Sequence, residues 1–192
     1  NRKGKDGYKI PRADVIPGKA ENNITEPGAS WKHLRDPKNY DFRPKKDSPL
    51  VDAGLRTTKS HVPSKDSNFD FQRVVGSAPD IGAYEFGDKR YWIPGRQEVI
   101  AKTPVPKDKG EDVPLDADLM FLEAYNVKSH RILLGSSKDN LKLLGVMKDL
   151  KTNIVSLPTL KPKTTYYWRV DAFDDQNKDW KIGDLWSFTT KK

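Results

Sequence analysis

Hydrophobic and polar positions follow two different patterns along the chain. From about residue 103 onward, apolar residues alternate with polar ones in short runs separated by turn residues. The runs are "DLMFLEA" at 118–124, "SHRILLGSS" at 129–137, "LKLLGVM" at 141–147, "NIVSL" at 153–157, "TTYYWRVDAF" at 164–173 and "DLWSFTT" at 184–190. With a first strand within 103–113, this spacing predicts a seven-stranded β-sandwich. Before about residue 95 the alternation breaks down. Prolines and glycines recur every few residues, apolar runs such as "PLV" and "RVV" are short, and no helical period appears. That pattern predicts short strands joined by long ordered loops. The predicted fold class is all-β throughout.

Alternation also assigns side chains to faces. Tyr166, Trp168, Val170 and Ala172 share one face of the 164–173 strand, opposite Tyr167, Arg169, Asp171 and Phe173. The first set suits a core, joined by Trp186, Phe188, Leu119, Phe121, Ile132 and Leu134. His130 falls on a core-facing position, where a satisfied structural histidine is expected. In "LKPKTTY", 160–166, Tyr166 stands where a tyrosine at a sandwich corner bonds its hydroxyl to upstream backbone.

Here the chain resembles the fibronectin type III family. The resemblance covers roughly 103–191 and rests on "VPLDADLMF", "LLGSSKDNL", "LKPKTTYYWRVDAF" and "GDLWSFTT". It departs at Phe121, where the family usually has tryptophan. Such domains are mostly spacers or binding modules, so the resemblance implies no catalysis.

Two phrases in the first half mix an apolar centre with an aspartate and a glycine: "SPLVDAG" at 48–54 and "SAPDIGAYEF" at 77–86. Asp52 is placed to bond backbone amides, Gly54 to supply a positive φ, Asp80 to cap a turn and Tyr84 to pack or stack. Arg73 is a candidate partner for Asp52 or Asp80. "NYDFRPKKDSPLVDAG" with "NFDFQRVVGSAPDIGAYEF" resembles the C-terminal end of bacterial right-handed parallel β-helix proteins, which include polysaccharide lyases. The match covers about 36–86 and departs at "FDFQR", where the family has Asp-Gly. It implies a loop-rich cap over the open end of a β-helix lying upstream. The expected organisation is therefore a cap-like segment at 1–95, a linker at 96–102 and a sandwich at 103–192. In β-helix lyases the catalytic groups lie on the coils, so no catalytic residue is carried over to this chain.

Composition narrows the partners. The 192 residues are 35% hydrophobic, carry 14 prolines and have a formal charge of +8. Basic residues outnumber acidic ones by 18 to 13 over 1–95 and by 17 to 14 over 96–192. Charge so dispersed makes no nucleic-acid arm, but it favours an anionic partner such as an acidic polysaccharide. There is no cysteine, hence no disulfide framework or thiolate chemistry. No apolar run approaches the roughly 18–20 residues of a membrane span, and no signal peptide opens the chain. The expectation is a mature piece of a longer bacterial protein that is secreted, periplasmic or on the cell surface. "NIT" at 23–25 is a glycosylation acceptor only in a eukaryotic source.

Catalytic chemistry finds little support. Asp52, Asp70, Asp80 and Glu85 are the carboxylates a glycosidase pair would draw on, yet all fit turn capping. Zinc would need His33, His61 and His130, which are far apart in sequence. No cofactor is expected, and the residue types admit only calcium, at Asp66, Asn68 and Asp70. Sugar binding calls for aromatic platforms with polar or cationic neighbours. Trp31, Lys32, His33, Arg35, Tyr40, Arg43 and Lys45 form one such candidate cluster. Arg90 and Trp92 form another, against the competing expectation that Tyr91 and Trp92 pack between the two parts. The expected role is accessory: a non-catalytic region of a polysaccharide-degrading protein that contacts a uronate-rich or sulfated glycan beside an upstream catalytic body. The alternatives are a part of an active lyase or glycoside hydrolase, or a spacer or adhesion module.

Overall fold

The computed structural model describes residues 29–54, 74–148 and 151–192. The calcium candidates Asp66, Asn68 and Asp70, together with His61, Arg73 and the 23–25 acceptor, lie outside the described residues.

The described chain begins with a five-residue helix, α1 (Ala29–His33), which the sequence pattern did not predict. It runs into β1 (Leu34–Asp36), a 3-10 turn at Pro37–Asn39, and β2 (Asp41–Pro44), which pairs antiparallel with β1. An irregular stretch leads to β3 (Lys102–Val105), β4 (Gly110–Val113), β5 (Leu119–Leu122) and β6 (Ser129–Gly135). The chain continues through β7 (Lys142–Lys148), β8 (Ile154–Val155), β9 (Thr165–Asp174), β10 (Asp179–Lys181) and β11 (Leu185–Thr190).

The strands from β3 onward form a fibronectin type III-like sandwich. One sheet has the order β3-β5-β8, and the other β4-β11-β9-β6-β7 with β10 paired to β9. The strand expected within 103–113 divides between the two sheets: β3 pairs with β5, and β4 pairs parallel to β11. Pro104 and Pro106 have no N–H to continue a ladder, and Lys109 turns at φ 58°.

The inward faces match the alternation. Leu119, Phe121, Ile132, Trp168, Val170, Trp186 and Phe188 form one buried cluster, with Leu134 and Tyr166 packed against it. Trp168 and Trp186 meet edge-on at 4.8 Å. Burying side chains of this size contributes about 2–3 kcal/mol each. The Tyr166 hydroxyl accepts the Lys161 N–H at 3.0 Å, which closes the tyrosine corner.

A second cluster covers the other side of the small sheet. Tyr91 and Ile93 pack with Val105, Met120 and Leu122. All four residues of β5 are therefore buried, where alternation alone would leave two facing water. The 96–102 stretch runs along the sandwich: Ala101 is buried and the Glu98 carbonyl accepts the Tyr125 N–H at 2.7 Å.

Candidate functional site

The two phrases that mix aspartate and glycine lock into each other. The Asp52 Oδ1 accepts the N–H groups of Ser77 and Ala78 at 2.7 and 2.9 Å. In return, Asp80 Oδ1 accepts the Asp52 N–H at 2.8 Å, and Asp80 Oδ2 accepts the Phe86 N–H. Glu85 then accepts the N–H groups of Val75 and Asp80. Backbone bonds from Gly54 to Pro79 and from Ile81 to Leu50 complete the clasp. The amides of Ala78 and Ser77 hold the Asp52 carboxyl below the usual carboxylate range. All three carboxylates are taken up as acceptors of backbone N–H groups.

Gly54 has a different role from the one expected. The residue with a left-handed backbone is Asp52, at φ 55°. Gly54 is needed for close approach, because a Cβ there would lie 2.7 Å from the Pro79 carbonyl oxygen.

Tyr84, within the second phrase of the clasp, belongs to an aromatic stack. Tyr84 stacks on Tyr91 at 4.5 Å between centroids and lies 6.5 Å from Phe42. The buried Tyr91 hydroxyl donates to the Tyr40 carbonyl and accepts the Phe42 N–H. The Tyr84 hydroxyl donates to the Trp92 carbonyl at 3.0 Å. Burial raises both tyrosine hydroxyls above their ordinary pKa, so they act as neutral hydrogen-bonding groups. The bonds from Tyr84 and Tyr91 fix the backbone at three part-exposed aromatic residues, Tyr40, Phe42 and Trp92, exposed by 47%, 39% and 37%.

Tyr40 itself is unusual. It ends the 3-10 turn at φ 73°, a region that bulky side chains rarely occupy. Lys107, from the loop between β3 and β4, sits over its ring at 5.6 Å. The Lys107 N–H donates to the Asn39 carbonyl, and the buried Asn39 side chain donates to the Glu111 carbonyl and to Asp36. Lys38 pairs with Asp112 across the same seam.

The candidate cations are placed differently. Arg43 bonds Asp41 at 2.7 Å and Asp118 at 2.8 Å, and its guanidinium lies 6.0 Å above Tyr91. Burial alone would lower the Arg43 pKa, but bonds and charge from Asp41 and then Asp118 raise it. Arg35 reaches Asp41, Asp116 and Asp118, and Arg90 pairs with the buried Glu123 at 2.9 Å. Three of the candidate cations are thus joined to carboxylates of the chain itself.

Lys45 donates to the Lys32 carbonyl, and its N–H to that of His33, which gathers 31–33 and 45 together. Trp31 is 62% exposed. The structure also adds residues that the sequence reading did not single out for binding: Phe42, Tyr84 and Lys107. Phe42 and Tyr84 could have been flagged by their neighbours Tyr40 and Tyr91. Nothing local marks Lys107.

Among the described residues, no three His, Asp or Glu side chains converge as a metal site. No described helix is long and apolar enough to cross a membrane.

Comparison with family models and with curated proteins gives no match. Solved structures similar to this chain include a β-1,2-glucanase from Parabacteroides distasonis, at 15% identity and a TM-score of 0.36, over 50% of this chain and 13% of the enzyme. An α-L-rhamnosidase from Streptomyces avermitilis matches at 16% identity and a TM-score of 0.36, over 48% of this chain and 10% of that one. A human fibronectin type III domain matches at 16% identity and the same TM-score of 0.36, over 52% of this chain and 91% of the domain.

Proposed function

We propose that this chain is a non-catalytic, carbohydrate-binding accessory region of a polysaccharide-degrading protein. One observation carries the reading: Tyr40, Phe42 and Trp92 are part-exposed aromatic residues whose backbones are hydrogen-bonded by the hydroxyls of a tyrosine stack. Flat, pre-ordered rings beside polar groups suit the C–H faces of sugar rings, and rigid placement lowers the cost of binding. An exported bacterial parent with a β-helix catalytic body upstream, either a lyase or a glycoside hydrolase, is part of the same proposal.

Affinity electrophoresis through gels containing alginate, carrageenan or a neutral β-glucan tests it. Retardation by at least one glycan is expected, and free mobility in all three gels would overturn the reading. Release of unsaturated sugar from alginate by this chain alone would overturn its non-catalytic part.

A second role has its own support. The β1–β2 hairpin is bonded into the sandwich through Arg43 and Asn39, and the stretch that follows the aspartate clasp through Tyr91. The region is thereby suited to mounting an upstream body at a fixed angle, and a pure spacer would need only this property.

A further inference from the structure

We infer that Tyr40 and Lys107 together form a subsite for an acidic sugar residue, the ring taking the sugar face and the ammonium its carboxylate or sulfate. The inference rests on the carbohydrate-binding reading and deepens it by assigning the charge recognition to one pair.

The pair is built rather than incidental. Tyr40 comes from the hairpin and Lys107 from the sandwich, 67 positions apart in the chain. A backbone bond from Lys107 to Asn39, the residue just before Tyr40, sets their separation. The ring is held in a strained left-handed backbone, with its carbonyl tied to the Tyr91 hydroxyl. Strain of this kind persists where the surroundings over-determine it, and it concentrates at ligand contacts.

Charge bookkeeping singles out Lys107. Arg35, Arg43 and Arg90 each face a carboxylate within ion-pairing distance, and Lys38 is joined to Asp112. Among the described residues Lys107 forms no ion pair, and its ammonium lies over the Tyr40 ring at 5.6 Å. An anionic ligand can engage it without breaking an ion pair to a described residue. An anion drawn to Arg43 would have to compete with both Asp41 and Asp118.

Two variants test the subsite without disturbing the fold. Lys107→Gln removes the charge and no ion pair to a described residue. Tyr40→Gly removes the ring and suits the positive φ. Each is run with the unaltered chain in gels of alginate, carrageenan and neutral β-glucan, and thermal unfolding confirms that both fold.

For the anionic gels, Lys107→Gln is expected to raise the apparent dissociation constant about threefold to tenfold. Its effect on neutral glucan should be small, and Tyr40→Gly should weaken every interaction. Whether alginate or carrageenan responds more distinguishes carboxylate from sulfate. If the unaltered chain binds an anionic glycan and Lys107→Gln binds it equally well, the subsite is wrong while the carbohydrate-binding reading stands. If the unaltered chain binds no glycan, both fall.

Discussion

Asn153 grips Tyr91 by both of its backbone polar groups. Its Oδ1 accepts the Tyr91 N–H at 2.8 Å, and its Nδ2 donates to the Tyr91 carbonyl at 2.7 Å and to that of Phe121 at 3.1 Å. One amide thus serves as a missing strand partner between the irregular 74–101 stretch and the small sheet. Asn153→Leu leaves three buried backbone groups unpaired, which should cost about 3 kcal/mol or more. Asn153→Asp keeps the acceptor but loses the donor and buries a charge, so it should not rescue. Urea unfolding followed by tryptophan fluorescence reads both. A midpoint unchanged by either substitution would show that the two parts are not coupled through this residue.

Arg43 offers a sharper choice between structure and binding. Removing it strands Asp41 and Asp118, both largely buried. Arg35 remains near both carboxylates and softens the loss. Arg43→Met should therefore destabilise by about 2–3 kcal/mol, below the full cost of breaking a buried pair. The same variant should bind glycan as the unaltered chain does once it is folded. Lost glycan binding at unchanged stability would instead make Arg43 a ligand contact.

What could be read from the sequence depended on distance along the chain. The inward positions of Trp168, Val170, Trp186 and Phe188, and the Tyr166 corner, follow from a period of two and a turn a few residues away. Burial of Met120 and Leu122 does not follow, because the cover comes from Tyr91 and Ile93 in a stretch without periodicity. The partners of the basic cluster were illegible for the same reason. Arg43 and Asp118 are 75 positions apart, and Arg90 and Glu123 are 33 apart, so a charge that looks free in sequence is already paired in the fold. In "SPLVDAG" the turn chemistry was visible but not its division of labour. Asp52 takes the left-handed backbone, and Gly54 the close contact.

The clasp makes its own prediction. Both Asp80 oxygens accept backbone N–H groups, from Asp52 and Phe86. Whichever way an asparagine amide is turned there, its NH₂ faces an N–H. Asp80→Asn should therefore destabilise by about 1–3 kcal/mol. Gly54→Ala should act in the same direction, since its Cβ would meet the Pro79 and Asp80 carbonyl oxygens at 2.7 and 2.9 Å. Chemical denaturation with near-ultraviolet dichroism of the Tyr84 and Tyr91 rings would register both. Full stability in Asp80→Asn would remove the case for Asp80 as a fastener.

His130 predicts how stability depends on pH. The ring is fully buried beside Phe121, and its Nε2 accepts the Ala124 N–H at 3.1 Å. The proton of the neutral ring therefore sits on Nδ1. Burial lowers its pKa to about 4, against about 6.5 in an unfolded chain. Between those values the unfolded chain binds the proton and the folded one does not, so stability falls as pH falls. The loss should reach about 2 kcal/mol at pH 5 and about 3 kcal/mol at pH 4, levelling off below that for this group. Asp52 and Asp174 are held below the usual carboxylate range by amide bonds and by Lys181 respectively. Their contribution is present above about pH 4 and is lost only as pH falls further, so the two windows separate. His130→Gln cannot titrate and keeps an acceptor for Ala124. Its urea midpoint should stay level from pH 7 to pH 5, while that of the unaltered chain declines. Parallel declines in the two proteins would assign the upper window to another group.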